Sequence, residues 1–218
     1  MVIESQIEKI MEILKKEFHG VRKTTLNREA KVFSPYQTLI SCLLSLQAKD
    51  ETTERISYEL FKIAKTPKQI IALAQKKLEK IIFSSGYYKN KAKAIKTASR
   101  QIIEDYGGKV PDTEEELLKL YGVGRKTANI VLSLAFGKSV LPIDTHCHRI
   151  PNRLGWIKTK TPEQTEIAIG KILPKKYWPQ FNGLFVLFGK KTCVPISPFC
   201  SICPVRKYCR RIGVKNFR

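Results

Sequence analysis

The stretch LLKLYGVGRKTANIVLSLAFG, residues 117–137, contains two helical patterns separated by Gly122-Val123-Gly124. Two glycines around one small apolar residue allow a tight turn with exposed backbone N–H groups. Because these N–H groups lie at the start of the second helix, they form a site at which an anion such as phosphate can dock. The alternative is an ordinary turn between helices, since glycine turns are common.

Signals of helix starts and ends recur along the rest of the chain. Ser34-Pro35, Thr66-Pro67 and Thr161-Pro162 each combine an N-cap hydroxyl with proline at the first helical position and glutamine three residues after the cap. The second of these opens the run IIALAQKKLEKII, and Thr113 with Glu116 forms a further capping box. Helix stops are marked by Gly86, Gly107 and Gly137. With no clear alternating strand pattern, the sequence predicts an all-α fold.

Length and hydropathy bound the organisation of the chain. Its 218 residues, 43% of them apolar, are enough for one large domain or two modest ones. Gly137 and Pro142 interrupt the helical pattern, which predicts a boundary near residues 137–142. No run approaches 18 consecutive apolar residues, and the N-terminus lacks a signal-peptide layout. We therefore expect a soluble cytoplasmic protein, associated with the nucleoid if the source is prokaryotic.

Charge gives the first indication of a partner. Lys and Arg number 40 against 19 Asp and Glu, a formal net charge of +21. Such an excess is costly through self-repulsion, and a polyanionic partner would explain it. Nucleic acid is the leading candidate, because Lys and Arg contacts to phosphate release counterions. Ribosomal and membrane-surface proteins share this basicity.

Four of the six cysteines lie within the last 26 residues, with the spacing C-x6-C-x2-C-x5-C. They are Cys193, Cys200, Cys203 and Cys209. Such clustering favours a metal centre over a disulfide framework, and cysteine sulfur suits either zinc or an iron–sulfur cluster. Cys42 lies in an apolar run and is expected in the core, and the neighbours of Cys147, His146 and His148, lack further ligands for a second site.

Three features together closely resemble the endonuclease III family of DNA glycosylases. These are GVGRKTAN at 122–129, Asp144 in LPIDTHCHR at 141–149, and the cysteine spacing, which resembles that of the family's [4Fe–4S] cluster. The resemblance runs from SPYQTLISCLLSLQAKD at 34–50 to Cys209. It implies a helix-hairpin-helix DNA glycosylase fold. A six-helix domain would span 28–138, an iron–sulfur cluster domain would combine 1–27 with 139–218, and the DNA cleft would lie between them.

The resemblance also implies roles for individual residues. Lys126 would be the nucleophile that attacks the sugar, releases the damaged base and forms a Schiff base, and Asp144 the assisting carboxylate. The four tail cysteines would hold a [4Fe–4S] cluster. Contacts to DNA are expected from Gly122, Val123, Gly124, Gln47, Tyr87, Tyr88 and His146. Apart from the resemblance, four lysines are expected to form a solvated basic face near DNA: Lys89, Lys91, Lys93 and Lys96.

The sequence departs from the family at three places. Tyr121 stands where family hairpins usually have proline, and Tyr87 where an aliphatic residue is usual. The first cysteine loop, residues 194–199, carries no charge, although this loop often meets phosphate in the family. The first departure concerns the rigidity of the turn, and the third concerns one phosphate contact. The second concerns the residue that would be inserted into the duplex beside the extruded nucleotide.

The functional prediction is a bifunctional DNA glycosylase and AP lyase that excises oxidised pyrimidines and cleaves at abasic sites by β-elimination. Its partner would be double-stranded DNA containing damaged bases or abasic sites, and we expect it to act as a monomer. One alternative is a monofunctional mismatch glycosylase, which would usually lack the lysine at 126. Another is a non-catalytic iron–sulfur protein that binds DNA or senses redox state, which would not need Lys126 and Asp144 together.

Overall fold

The computed structural model describes residues 2–20 and 32–218, and all regular secondary structure within them is helical. The predicted all-α class is confirmed. Two compact units are distinguished: the described part of Met1–Thr24 with Ser139–Arg218, and the described part of Thr25–Lys138. The expected boundary at residues 27 and 28 lies outside the described residues. None of the described helices has the length and apolar character needed to cross a membrane.

The unit that ends at Lys138 is built around one apolar helix. Its α-helices are α2 (Pro35–Ser45), α3 (Asp50–Ile63), α4 (Pro67–Ala72), α5 (Gln75–Ile81), α6 (Tyr88–Tyr106), α7 (Glu114–Lys119) and α8 (Arg125–Phe136), with a 3-10 turn at Phe83–Ser85. Helix α2 packs against α3, α6 and α8. Its side chains Leu39, Ile40, Cys42, Leu43 and Leu44 are buried, so Cys42 is a core residue as expected.

The other unit contains α1 (Val2–Glu17), α9 (Thr145–Leu154), α10 (Pro162–Ile172) and α11 (Trp178–Lys191), with 3-10 turns at Lys175–Tyr177 and Arg206–Tyr208. The apolar face of α1 supplies Ile7, Ile10, Met11 and Leu14, which are fully buried together with Phe181 and Phe185 of α11. Burial of such side chains contributes about 1.5–3 kcal/mol each. This core fixes α9, the helix that follows Asp144.

The predicted helix starts are confirmed by hydrogen bonds from the first turn of each helix to its capping side chain. Ser34 Oγ accepts from the Gln37 N–H while Gln37 Oε1 accepts from the Ser34 N–H, a complete capping box. Thr161 caps α10 by accepting from the Gln164 N–H. The glutamine of that motif reaches one residue further back, to the Lys160 N–H.

One predicted helix is divided in the structure. The run after Thr66 forms two short helices, α4 and α5, because Leu73 and Ala74 have extended backbones. The ammonium of Lys96 donates to the carbonyls of Ile71 (3.2 Å) and Leu73, which stabilises the end of α4. The described residues of this unit therefore contain seven α-helices where the resemblance implies six. Lys96 is half-buried, so its assignment to a solvated face was wrong.

Candidate active site

The turn between α7 and α8 depends on close backbone packing. Gly122 has φ +81°, and a Cβ there would lie 3.0 Å from the Cβ of Ala94. The Val123 N–H donates to the Leu120 carbonyl at 3.1 Å, and the Val123 side chain is buried. Gly124 is the N-cap of α8 and has no side chain to cover the backbone N–H groups that follow. The hairpin therefore presents an open, positively polarised helix start.

The structure explains the departure at Tyr121. The backbone N–H of Tyr121 donates to Gln101 Oε1 at 2.7 Å, and Gln101 Nε2 donates to the Lys119 carbonyl at 3.1 Å. Proline has no N–H and would leave the first of these bonds unmade. One amide from α6 thus fixes the entry to the turn by hydrogen bonding. The sequence offered no signal for Gln101, because it lies 20 residues from its partner.

Lys126 is the second residue of α8 and its side chain is exposed. The next residue, Thr127, is buried at 4% exposure and fixes the rotation of the helix. Arg125 forms an ion pair of 3.2 Å with Glu114, which joins the start of α8 to the start of α7. The predicted nucleophile therefore projects into solvent beside the hairpin, from a backbone held on two sides.

Asp144 is the N-cap of α9. Its Oδ1 accepts hydrogen bonds from the N–H groups of His146 (2.9 Å) and Cys147 (2.8 Å). Both bonds go to the same oxygen, so Oδ2 takes no part in the cap. The carboxylate is half-buried and its orientation is fixed by the helix that it caps. It can therefore direct a negatively charged oxygen at a substrate with little loss of side-chain entropy on binding.

His146 turns its ring toward α11. Arg149 donates to His146 Nδ1 at 3.1 Å and to the Cys193 carbonyl at 2.8 Å. A Cβ at position 189 would collide with the imidazole, so Gly189 is required for this approach. Since Arg149 can only donate, Nδ1 is the accepting nitrogen of the ring. The contact of His146 with DNA stays a prediction.

Two of the other predicted DNA contacts lie on loops with unusual backbones. Gln47, after α2, and Tyr87, before α6, are exposed residues with φ +52° and +49°, the left-handed region that residues other than glycine seldom adopt. Tyr88 differs from its neighbour: it is half-buried, and its ring lies 5.0 Å from that of Phe83. Tyr87 is therefore the better placed of the two to meet a ligand.

The predicted basic face on α6 is only partly present. Lys89 and Lys93 are exposed, and Lys93 Nζ lies 5.9 Å from the centre of the Tyr121 ring. Lys91, in contrast, is 7% exposed, and its ammonium binds two main-chain carbonyls. The prediction that Lys91 is solvated was wrong, because the spacing of the lysines does not reveal that position 91 lies on the inner face of α6.

The four tail cysteines line one pocket, which Phe188 and Arg153 also border. All four are half-buried free thiols. Burial raises the pKa of the Cys203 thiol to about 11 and also raises the pKa values of Cys200 and Cys209, with neighbouring cysteines adding to each effect. Within residues 2–20 and 32–218, no three His, Cys, Asp or Glu side chains are arranged as a metal-ligand group.

Hydrogen-bond donors nevertheless point at the sulfurs. Arg153 donates to Cys193 Sγ at 3.5 Å, and the Arg211 N–H donates to Cys209 Sγ at 3.4 Å. Such donors favour thiolate sulfur, the form that binds metals. By donor chemistry, four thiols around one pocket with these N–H groups fit an all-cysteine centre. Arg153 gave no sequence signal, because it lies 40 residues from Cys193.

The uncharged first cysteine loop is contacted by a distant arginine. Arg218 places its guanidinium 4.0 Å from the centre of the Phe199 ring and donates from Nε to the Ser197 carbonyl at 3.1 Å. Its backbone N–H donates to the Pro198 carbonyl at 2.8 Å. Positive charge is therefore present at this loop, although its own sequence has none.

Comparison with known proteins decides the family. A family model described as HhH-GPD superfamily base excision DNA repair protein matches residues 40–175. Endonuclease III of Thermotoga maritima is 48% identical over 194 residues, covering 88% of this chain and 91% of that protein. The chain belongs to the endonuclease III family. Endonuclease III of Bacillus subtilis is 39% identical over 178 residues and covers 81% of each chain.

Solved structures agree with this membership. The chain matches a trapped covalent intermediate of endonuclease III with DNA at TM-score 0.85 and 35% identity, covering 95% of this chain and 96% of that one. A non-covalent complex of endonuclease III with DNA matches at the same TM-score and identity. The helix-hairpin-helix fold and the class of DNA-binding glycosylase and AP lyase are confirmed at the level of the endonuclease III family.

Proposed function

We propose that the protein excises oxidised pyrimidines from double-stranded DNA and cleaves the strand at the resulting abasic site through a Schiff base on Lys126. The observation that carries this proposal is an exposed lysine in the first turn of α8, next to an open hairpin. Membership of the endonuclease III family supports it, since a covalent intermediate with DNA is known for that enzyme.

Lys126 is proposed to act first as the nucleophile and then as the nitrogen of the imine. Its neutral amine attacks the sugar C1′, the bond from C1′ to the base breaks, and the base leaves with a proton. Opening of the sugar gives an imine between Nζ and C1′. Loss of a C2′ proton then lets the C3′–O bond break, and the 3′ phosphate departs with the electron pair. Hydrolysis of the imine regenerates the lysine.

Asp144 is proposed to act in the same reaction. A carboxylate stabilises positive charge that develops on the sugar and can accept a proton from the attacking amine. The cap supports this role, because it orients the group and leaves Oδ2 outside the helix cap. Helix capping and the proposed catalytic role are therefore compatible in one side chain.

DNA contact is proposed to begin at the hairpin, where the N–H groups after Gly122-Val123-Gly124 would bind phosphate without regard to base sequence. The extruded nucleotide leaves a gap in the duplex. Gln47 would pair with the orphaned base, and Tyr87 would fill the stack. Their exposure supports this assignment. Four further points stay predictions: the DNA contacts of Tyr88 and His146, the monomeric state and the cytoplasmic location.

For the tail we propose a [4Fe–4S] cluster bound by Cys193, Cys200, Cys203 and Cys209. The pocket that these residues share and the donors directed at two of the sulfurs support it. When bound, the cluster would order the tail and hold its basic residues in place. Brown protein with iron and acid-labile sulfide in equal amounts would agree with this proposal. Colourless protein containing zinc would contradict it.

A strand-nicking assay tests the function. We would incubate the protein with a duplex containing one thymine glycol and analyse the products with and without alkali. The proposal predicts cleavage without alkali, abolished by Lys126→Gln and retained by Lys109→Gln, a control at an exposed lysine outside the hairpin. Base release with cleavage only after alkali would favour a monofunctional glycosylase. Tight DNA binding with neither product would favour the non-catalytic alternative.

A further inference from the structure

Lys91 is a buried cation with main-chain partners. Its side chain is 7% exposed, and Nζ donates to the carbonyls of Leu44 and Ser85, both at 2.8 Å. Burial lowers its pKa from 10.5 to about 8. Burying an ammonium group is costly unless its donors are satisfied. The two hydrogen bonds of Lys91 offset this cost.

The two carbonyls end two different segments. Leu44 lies in the last turn of α2, and Ser85 is the last residue of the 3-10 turn before α6. Carbonyls at helix ends lack partners within the helix and attract cations. One ammonium therefore caps both segments and links them directly, although they lie 41 positions apart in the chain.

Each segment leads into a residue with a strained backbone. Gln47 follows Leu44 by three positions, and Tyr87 follows Ser85 by two. Their left-handed conformations each cost roughly 1–2 kcal/mol and persist only when the surrounding structure imposes them. On the Tyr87 side, the Lys91 backbone adds a hydrogen bond from its N–H to the Tyr87 carbonyl at 3.0 Å. Lys91 thus binds the segment that precedes each of the two strained residues.

We propose that Lys91 is a positioning residue for base extrusion, which holds the Gln47 and Tyr87 loops at a fixed separation so that both side chains enter the duplex together. The inference rests on the proposed function, in which these two residues fill the gap left by the lesion. Separating a base pair costs a few kcal/mol, and two loops held together can apply their contacts to one base step. Without Lys91 the loops move independently and extrusion becomes slower.

The test compares two lysine variants on two DNA duplexes. Lys91→Met removes the charge and donors, and Lys96→Met removes a similar carbonyl cap from the same helix without touching either loop. Single-turnover base release is measured on thymine glycol paired with adenine and on thymine glycol opposite an abasic spacer, where no pair needs to be broken. We expect Lys91→Met to lose about tenfold or more on the paired lesion, corresponding to 1.4 kcal/mol, and about threefold or less on the unpaired one. Lys96→Met should affect both equally.

Two outcomes of this comparison overturn the proposal. Equal losses by Lys91→Met on both duplexes would reduce Lys91 to a general structural role, and rates like those of the unmodified protein would leave it with no role in extrusion. Failure of the proposed function is distinguished separately, since the unmodified protein would then release no base from either duplex.

A second measurement covers the case in which Lys91→Met does not fold. With Lys91 intact, Gln47→Ala, Tyr87→Ala and the double variant are compared on the paired lesion. Residues that act as one unit give losses that are far from multiplicative, so the double variant should be little slower than the worse single one. Independent, multiplicative losses would contradict the coupling that Lys91 is proposed to impose.

Discussion

At the scale of the residue, Asp144 shows how one side chain can serve both structure and chemistry. Asparagine caps helices about as well as aspartate, so Asp144→Asn should change the free energy of unfolding by less than about 1 kcal/mol. The same change removes the negative charge, and we expect base release to fall by about 10²–10⁴-fold. Thermal unfolding and single-turnover kinetics measure the two effects separately.

A matched cap variant completes this prediction. Thr161→Ala removes the N-cap of α10 in the same unit and should cost about 1 kcal/mol of stability with base release unchanged. If Asp144→Asn retained full activity while Thr161→Ala lost stability as expected, Asp144 would be a capping residue only.

Lys91 gives a prediction about pH at the same scale. Its pKa is about 8 in the folded protein and near 10.5 when exposed, so between these values the unfolded chain holds more protons. The free energy of unfolding therefore gains a term that rises with pH across this window and is lost as pH falls through 8. Denaturant unfolding of both proteins is measured between pH 7 and 10. Over this range the free energy of unfolding of the unmodified protein should rise relative to that of Lys91→Met by at most about 3 kcal/mol. A difference independent of pH would contradict the burial of a charged lysine.

At the scale of the element, the hairpin contains two glycines that differ in backbone conformation and in the space around them. Gly122→Ala forces a Cβ into the left-handed region and against Ala94, and we expect a loss of about 1–2 kcal/mol in the free energy of unfolding. At Gly124 a Cβ meets nothing within 4 Å, so Gly124→Ala should cost less than about 1 kcal/mol. Denaturant unfolding of both variants tests this, and equal losses would show that the turn is not set by contact with α6.

Local elements were predictable from the sequence, and contacts between them were not. The capping boxes join residues three positions apart, so Ser34 with Gln37 could be identified directly. Lys91 and Lys96 looked like solvated lysines because their carbonyl partners lie up to 47 residues away. The division of α4 from α5 was missed for the same reason. Gln101, which compensates for the absence of proline at 121, likewise acts over 20 residues.

At the scale of the whole molecule, the sequence indicated the hairpin and the cluster of tail cysteines, but not the contacts that support them. The hairpin joins the two helical segments that the sequence indicated. The four cysteines that the spacing grouped line one pocket, yet the arginines that direct N–H groups at two of the sulfurs come from outside the spacing pattern. A net charge of +21 fits a DNA-binding member of the endonuclease III family.

The measurement that tests the central claim most directly is reductive trapping. The protein is incubated with a duplex containing a single abasic site, borohydride is added, and a denaturing gel is examined for a covalent adduct, with Lys126→Ala in parallel. The account predicts an adduct that disappears in the variant, because borohydride reduces the imine between Lys126 and the sugar to a stable amine and the variant cannot form that imine. If well-folded protein that binds the duplex gave no adduct, or if Lys126→Ala gave the same adduct, the assignment of Lys126 as nucleophile would be wrong.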